Sequence, residues 1–335
     1  GSAVQMSVSL DVHRFTSRIN EIQKFIEKKS LDHLIVALGP TIDPEEKNLR
    51  DSYSEAIFHW LLGYEFPDTA LVVGKNGVSF LSSSKKISIL SQLEKSSIAV
   101  KLHARTKGNE NDGFKILASG LGLDSSSQIT SFLRSPERGF CHDFTKFMAD
   151  NNIDINRIAV DISELWAVKD KMELDYIGYA SIYCEGILND FNQVIRKNFN
   201  ISQASAQKSL LSNLETVSKK LSEVLPKGES IDYFEVGNLN IRKLDDIWSI
   251  DVTCKYKSYN SSFARIFYSS QAPEDVKNGL SDAYDARNYM LKNIKSGQNS
   301  ADVHQKFKNY ISSLQNASIF NCGSIGHSVL YFFDV

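Results

Sequence analysis

The sequence predicts two lobes, an α/β lobe followed by an α+β lobe, and three observations carry that prediction. Residues 33–161 alternate short apolar runs with stretches of helical period, the pattern of a central sheet covered by helices. From residue 170 the order changes to two long helical stretches, three strand-like runs and two further helices. At 335 residues, 42% of them hydrophobic and 23% charged, the chain is long enough for two ordinary domains. The expected lobes are 3–164 and 165–335.

In the first lobe, Val12, Phe15, Ile19, Ile22 and Ile26 recur at helical spacing over residues 9–29, with Asp11 placed to cap the first turn. His33–Leu38 reads as a buried strand closed by Gly39-Pro40, and a helix follows from about Ser54 to Leu62. Thr69–Val73 and Val78–Leu81 read as a hairpin, because Lys75-Asn76-Gly77 is a tight-turn signal between apolar runs. A helix near 85–94, a strand over Ile98–Leu102 and a helix near 113–122 continue the alternation. Gly108–Asp112 and Asp124–Gln128 are polar and read as loops. Arg157–Asp161 is expected to be the last strand of this lobe.

In the second lobe, helices are expected over 170–197 and 202–224, stopped by Pro226-Lys227-Gly228. Strands are expected near 231–237, 247–255 and 262–268, helices near 274–295 and 301–314, and a strand from about 318. The helices are expected to cover a curved antiparallel sheet. Gly1-Ser2 reads as a cloning remnant. The apolar run Leu330–Val335 would be an aggregation-prone edge if the chain stopped there. The expectation is therefore a fragment of a longer protein, with an incomplete second lobe.

Composition excludes several classes. Thirty-eight basic against forty acidic side chains give a net charge of −2, unlike the strongly basic face of a free-standing nucleic-acid binder. No strong direct nucleic-acid binding is expected. No apolar run approaches the roughly 18 residues of a membrane-spanning helix. Cys141, Cys184, Cys254 and Cys322 stand far apart with no close pair, so free thiols are expected rather than a zinc site or a disulfide framework.

The segment Trp166-Ala167-Val168-Lys169-Asp170-Lys171-Met172-Glu173-Leu174 resembles the start of the second lobe in the creatinase, prolidase and methionine aminopeptidase family. That resemblance implies a creatinase-like α/β lobe followed by a pita-bread aminopeptidase-like lobe. In metal-dependent members, two Asp, one His and two Glu hold two metal ions, and the two Asp lie on adjacent strands with ten residues between them. Asp251 matches the first aspartate, but the family spacing then lands on Ser262. The glycine-flanked histidine of the family resembles Asn321-Cys322-Gly323-Ser324, which puts Ser324 at the ligand position. Divalent cations need carboxylate or imidazole donors, and hydroxyls at two positions leave the set too poor in charge. The resemblance therefore implies vestigial positions at Asp251, Ser262 and Ser324, no metal, no other cofactor and no catalytic residue. His327 reads as an ordinary loop or strand histidine rather than a replacement ligand.

One branch of that family is closer. Trp60-Leu61-Leu62-Gly63-Tyr64-Glu65-Phe66-Pro67-Asp68-Thr69 resembles a signature of the large subunits of FACT, a histone chaperone that assists transcription through chromatin. Ser82–Lys86, Ala167–Asp170, Lys255–Tyr259 and Phe263-Ala264-Arg265 resemble the same family. The resemblance implies a non-catalytic histone- or peptide-binding module, acting on nucleosomes during transcription and replication, in the nucleus and on chromosomes. Its implied partners are core histones, a small HMG-type subunit reached through other regions, and transcription and replication factors. Two alternatives stay open: an active metallo-aminopeptidase or prolidase with unusual ligands, and a docking module for other chromatin proteins.

The candidate binding residues are Ser82, Lys85, Lys257 and Arg265. Ser82 and Lys85, on a strand-to-helix turn, either present a hydroxyl and a cation to a peptide or form a solvated cap. Lys257 and Arg265 either bind an acidic or peptide ligand or form surface salt bridges. Trp60–Asp68 either offers aromatic contacts to a partner or packs a helix end closed by Gly63.

Overall fold

The computed structural model describes residues 8–41, 49–133, 139–197, 202–242 and 247–316. The strand expected from 318, Ser324, His327 and Leu330–Val335 lie outside the described residues. The chain divides into two compact units, Gly1–Val168 and Lys169–Val335, so the division falls four residues after the expected one.

The first unit opens with α1 (Val12–Lys28), whose first turn is capped by the Asp11 side chain accepting from the Arg14 N–H at 2.9 Å. Its buried stripe is Phe15, Ile19, Ile22, Phe25 and Ile26, the helical spacing read from the sequence. Strand β1 (His33–Leu38) is followed by α2 (Leu49–Leu62), β2 (Thr69–Gly74) and β3 (Gly77–Ser82). Helix α3 (Ser84–Leu90) passes into a 3₁₀ turn over Ser91–Lys95, and β4 (Val100–Ala104) and α4 (Glu110–Leu121) follow. The unit closes with β5 (Ile129–Ser131), α5 (Gly139–Asp150) and the short α6 (Glu164–Ala167).

The five strands form one mixed sheet in the order β4-β3-β2-β1-β5, with β1–β5 and β3–β4 parallel and the other pairs antiparallel. Each face is covered. Ile35, Ala37, Val72 and Leu81 pack against Phe114 and Leu117 of α4 and Phe144 of α5. On the opposite face Phe80 meets Phe15 of α1, with ring centroids 6.3 Å apart. Phe114 also lies 5.5 Å from Phe140 and 5.4 Å from Phe144 in edge-type contacts, each worth about 0.5–1.5 kcal/mol beyond its area burial.

Two expectations need correction. Arg157–Asp161 is not a strand. Its Ile158 N–H donates to the Ile129 carbonyl at 3.0 Å, beside the three-residue β5 that is the fifth strand. A β-branched run without a ladder partner along its length reads as strand in sequence and not in space. Helix α5 escaped notice because its aromatic residues Phe140, Phe144 and Phe147 were not weighed as a helical stripe.

The second unit begins with α7 (Lys171–Lys197) and α8 (Gln203–Leu221). Strands β6 (Tyr233–Arg242), β7 (Ile247–Tyr256) and β8 (Tyr259–Tyr268) form an antiparallel sheet in chain order. Helices α9 (Glu274–Asn293) and α10 (Ser300–Ser312) follow, packed through Ala286, Phe307 and Ile311 with Tyr289 stacked on Tyr310. Strand β7 alternates strictly. Trp248, Ile250, Val252, Cys254 and Tyr256 are buried against Tyr183, Cys184, Ile187 and Phe191 of α7, while the intervening residues face away from them. Cys141, Cys184 and Cys254 are buried free thiols. The β7–β8 turn is Lys257-Ser258, with φ of +46° and +72°, the left-handed pair that a two-residue hairpin of right-twisted strands demands.

Two outcomes are expected for the first unit. Gly77 has φ +153°, and a Cβ there would stand 2.5 Å from the Ala99 carbonyl oxygen. Gly77→Ala should therefore cost about 1–3 kcal/mol, read as a lower denaturant midpoint with an unchanged m-value. His33 is half-buried with Nδ1 lacking a partner, and burial lowers its pKa from 6.5 against the opposing charge of Asp32. The unfolded chain then takes up a proton that the folded site disfavours, so stability is present above about pH 6.5 and falls below it. Thermal unfolding between pH 7.5 and 5.5 should show that decline, and His33→Asn should flatten it.

Candidate functional site

The face of the second sheet turned away from α7 carries the metal-site positions. Asp251 stands in register between Gly237 of β6 and Ala264 of β8, and Thr253 between Glu235 and Ser262. Asp251 is half-buried, and Ser262 is exposed with its hydroxyl 2.8 Å from the Thr253 hydroxyl. The residue directly across from Asp251 on β8 is thus an alanine, and the one at the family spacing is a hydroxyl already paired. This donor set does not fit a pair of divalent cations bridged by carboxylates. Among the described residues, the group of three metal-ligating side chains that comes together is elsewhere, at Glu55, His59 and Glu65.

Lys257 and Arg265 are not brought together. Lys257 sits in the β7–β8 turn, where Nζ donates to Glu229 Oε1 at 2.8 Å and lies 5.1 Å from the centre of the Tyr176 ring. Burial works against its charge, but the bonds and charges of Glu229 and Tyr176 outweigh it and raise the pKa above the ordinary lysine value. Arg265 projects from β8, on the order of 20 Å further along the hairpin, with its guanidinium 5.0 Å from the Phe263 ring. It is exposed and donates to the Ala264 carbonyl at 2.8 Å.

Ser82 is not a surface hydroxyl. It is fully buried, and its Oγ lies 2.6 Å from Thr69 Oγ1, because the residue ends β3 on the inner side of the sheet. Lys85 is exposed on α3. The neighbouring residues, which the sequence reading passed over, do more. Ser83 caps α3, and Lys86 turns inward so that Nζ donates to the Pro67 carbonyl. Burial lowers the Lys86 pKa, Asp68 opposes that, and Arg105 reinforces it. The two signature-like segments, 60–69 and 82–86, therefore meet in space through Lys86 and through Thr69–Ser82. The signal in the sequence was the pairing of a Pro-Asp turn with a Ser-x-x-Lys cap. Within the first segment, Trp60 and Phe66 are buried and Tyr64 is exposed, and the helix ends at Gly63 with φ +76°.

Comparisons with known proteins fall on these same regions. The family described as the FACT complex subunit SPT16 N-terminal lobe domain matches residues 10–165, and metallopeptidase family M24 matches residues 218–332. Residues 10–165 thus match the SPT16 N-terminal lobe, and the chain resembles an SPT16 N-terminal domain. A FACT complex subunit SPT16 from Arabidopsis thaliana is 29% identical over 197 residues, covering 54% of this chain and 18% of that protein. The Zea mays SPT16 is 25% identical over 311 residues, covering 82% of this chain and 29% of that protein. The chain thus spans less than a third of the length of these SPT16 relatives.

Solved structures show the same fold. The N-terminal domain of SPT16 from Cicer arietinum superposes with a TM-score of 0.73 at 22% identity, covering 97% of this chain and 83% of that one. Dipeptidase PepE from Mycobacterium ulcerans gives 0.65 at 16% identity, covering 96% and 82%. The architecture is the two-lobed pita-bread fold shared by SPT16 N-terminal domains and the creatinase–prolidase enzymes.

The SPT16-like segment Ala167–Asp170 leads into a reciprocal cap on α7. Asp170 Oδ1 accepts from the Glu173 N–H at 2.9 Å, and Glu173 Oε2 accepts from the Asp170 N–H at 2.8 Å. The other carboxylate oxygen of Glu173 accepts from the Tyr259 hydroxyl at 2.7 Å. Glu173→Ala should destabilise the second unit by about 2–4 kcal/mol, through the lost cap and a stranded buried hydroxyl. Glu173→Ala with Tyr259→Phe should recover part of that loss in a double-mutant cycle of chemical unfolding.

Proposed function

We propose that this chain is a histone- or peptide-binding module without peptidase chemistry, working within a FACT-type histone chaperone on nucleosomes in the nucleus. The single observation that carries the reading is the pairing of the SPT16 match over residues 10–165 with Ser262 and Ala264 standing opposite Thr253 and Asp251. A two-lobed peptidase fold provides surfaces for extended peptides, and a sheet with accessible edges and clefts binds such chains through main-chain bonds and side-chain pockets. With Ser262 bonded to Thr253 and Ala264 across from Asp251, the two β8 positions that face Thr253 and Asp251 supply no carboxylate to help hold a metal-bound water.

The partners on this reading are core histones, whose basic tails are extended peptides. The small HMG-type subunit and transcription or replication factors would be engaged by the longer protein. A net charge of −2 gives little long-range attraction, so binding should be weak and strongly dependent on salt.

The test is a salt titration of this chain against purified core histones, with tailless histones as the comparison. Binding that is lost without the tails, and that weakens steeply between 50 and 300 mM salt on the order of a Debye-length change, supports the reading. Absence of binding at low salt overturns the histone role and leaves docking of other chromatin proteins. A parallel measurement adds manganese or cobalt and proline-containing dipeptides. No hydrolysis above the metal-only blank is expected, and stoichiometric metal with turnover would establish the peptidase alternative instead.

A further inference from the structure

In the second unit, a groove of about 780 Å³ runs between the C-terminal half of α8 and the start of β6. Its apolar lining comes from Tyr183, Leu211, Ile231 and Phe234, and its charged rim from Glu215, Asp232 and Lys219. Leu211 is 58% exposed, an unusual state for a leucine beside other apolar side chains at a concave site. No part of this groove was singled out in the sequence, and the face around Asp251 lies on the other side of the sheet.

We infer that this groove binds an extended peptide segment in which an apolar residue is flanked by lysine or arginine. The inference rests on the histone- or peptide-binding reading above and gives it a location. Two features select that chemistry. The floor is apolar and concave, so it rewards burial of a leucine- or isoleucine-sized side chain at about 25 cal/mol per Å². The rim holds two carboxylates, Glu215 and Asp232, against one ammonium, Lys219. Those charges favour cationic flanks. Asp232 itself is fixed, its Oδ2 accepting from the Ser258 N–H at 2.9 Å, so the carboxylate is held in place rather than free to collapse onto Lys219.

The experiment uses the 335-residue chain with two fluorescent probes: the synthetic N-terminal tails of the four core histones, and a designed acetylated Lys-Arg-Leu-Leu-Arg-Lys peptide. Fluorescence anisotropy compares the parent with Leu211→Glu, Glu215→Lys and the control Leu291→Glu, a change at an equally exposed apolar residue on α9. Leu211→Glu should weaken both probes about tenfold, Glu215→Lys several-fold with a shallower salt dependence, and Leu291→Glu not at all. Circular dichroism confirms folding, which exposure of all three positions favours. If the tails bind and the groove variants change nothing, the groove inference is overturned and the histone reading stands. If only the designed peptide binds and the variants lose it, the groove stands and the histone reading falls. If neither probe binds, or the parent instead self-associates through this face by light scattering, the groove inference is overturned.

Discussion

The second unit depends on what happens at Glu173. One buried carboxylate closes the first turn of the longest helix by bonding the Asp170 N–H, and with its other oxygen it takes the hydroxyl of Tyr259 at the head of β8. A helix of 27 residues and a hairpin of two ten-residue strands are thereby located from the same atom group. The rest follows in order. Tyr176, a few residues along α7, stacks edge-on against Tyr256 at 5.5 Å and meets Tyr259 at 5.7 Å. These rings set the height of the turn, and the strict alternation of β7 then decides which side chains enter the core and which face the cleft side. Asp251 and Thr253 are where they are because Ile250, Val252 and Cys254 are buried.

Much of this arrangement was legible beforehand, and the reasons are local. Helix α1 announced itself by a capping aspartate and a stripe of five apolar residues, and the β2–β3 hairpin by Lys75-Asn76-Gly77, because both are decided within a dozen residues. What was misread depended on distant partners. Ile158 and Val160 look like strand residues, yet the neighbouring β5 spans three residues, and the one bond from this run to it that is seen is the Ile158 N–H on the Ile129 carbonyl. The family-like match Ala167–Asp170 was visible as a string, but its purpose was not, since Tyr259 lies 86 positions from Glu173.

The candidate binding residues illustrate the same limit at single positions. Sequence spacing cannot say on which side of a strand end a serine lies, and one residue decides it: Ser82 is sealed against Thr69 while Ser83 caps the helix. Lys85 and Lys86 are adjacent and chemically identical, yet one is solvated and the other is turned onto the Pro67 carbonyl beside Asp68. For Lys257 the sequence leaves ligand binding and a salt bridge open, and the fold pairs it with Glu229. The cross-strand partners of Asp251 and Thr253 are local by contrast, because register follows from hairpin length. Once the two-residue turn is fixed, Ser262 must face Thr253 and Ala264 must face Asp251.

That turn has a consequence for how the domain tolerates change. Lys257 and Ser258 both occupy backbone conformations that glycine or asparagine would adopt with less strain, so the main chain and the side chain at position 257 pull in opposite directions. A glycine there would relax the backbone and simultaneously release Glu229 and the Tyr176 ring from the ammonium that holds them. The site is thus a compromise between geometry and charge, and its substitution profile should be narrow in a way that neither demand alone would produce: glycine and asparagine win on backbone ease, long cations on contact, and residues with neither property lose both.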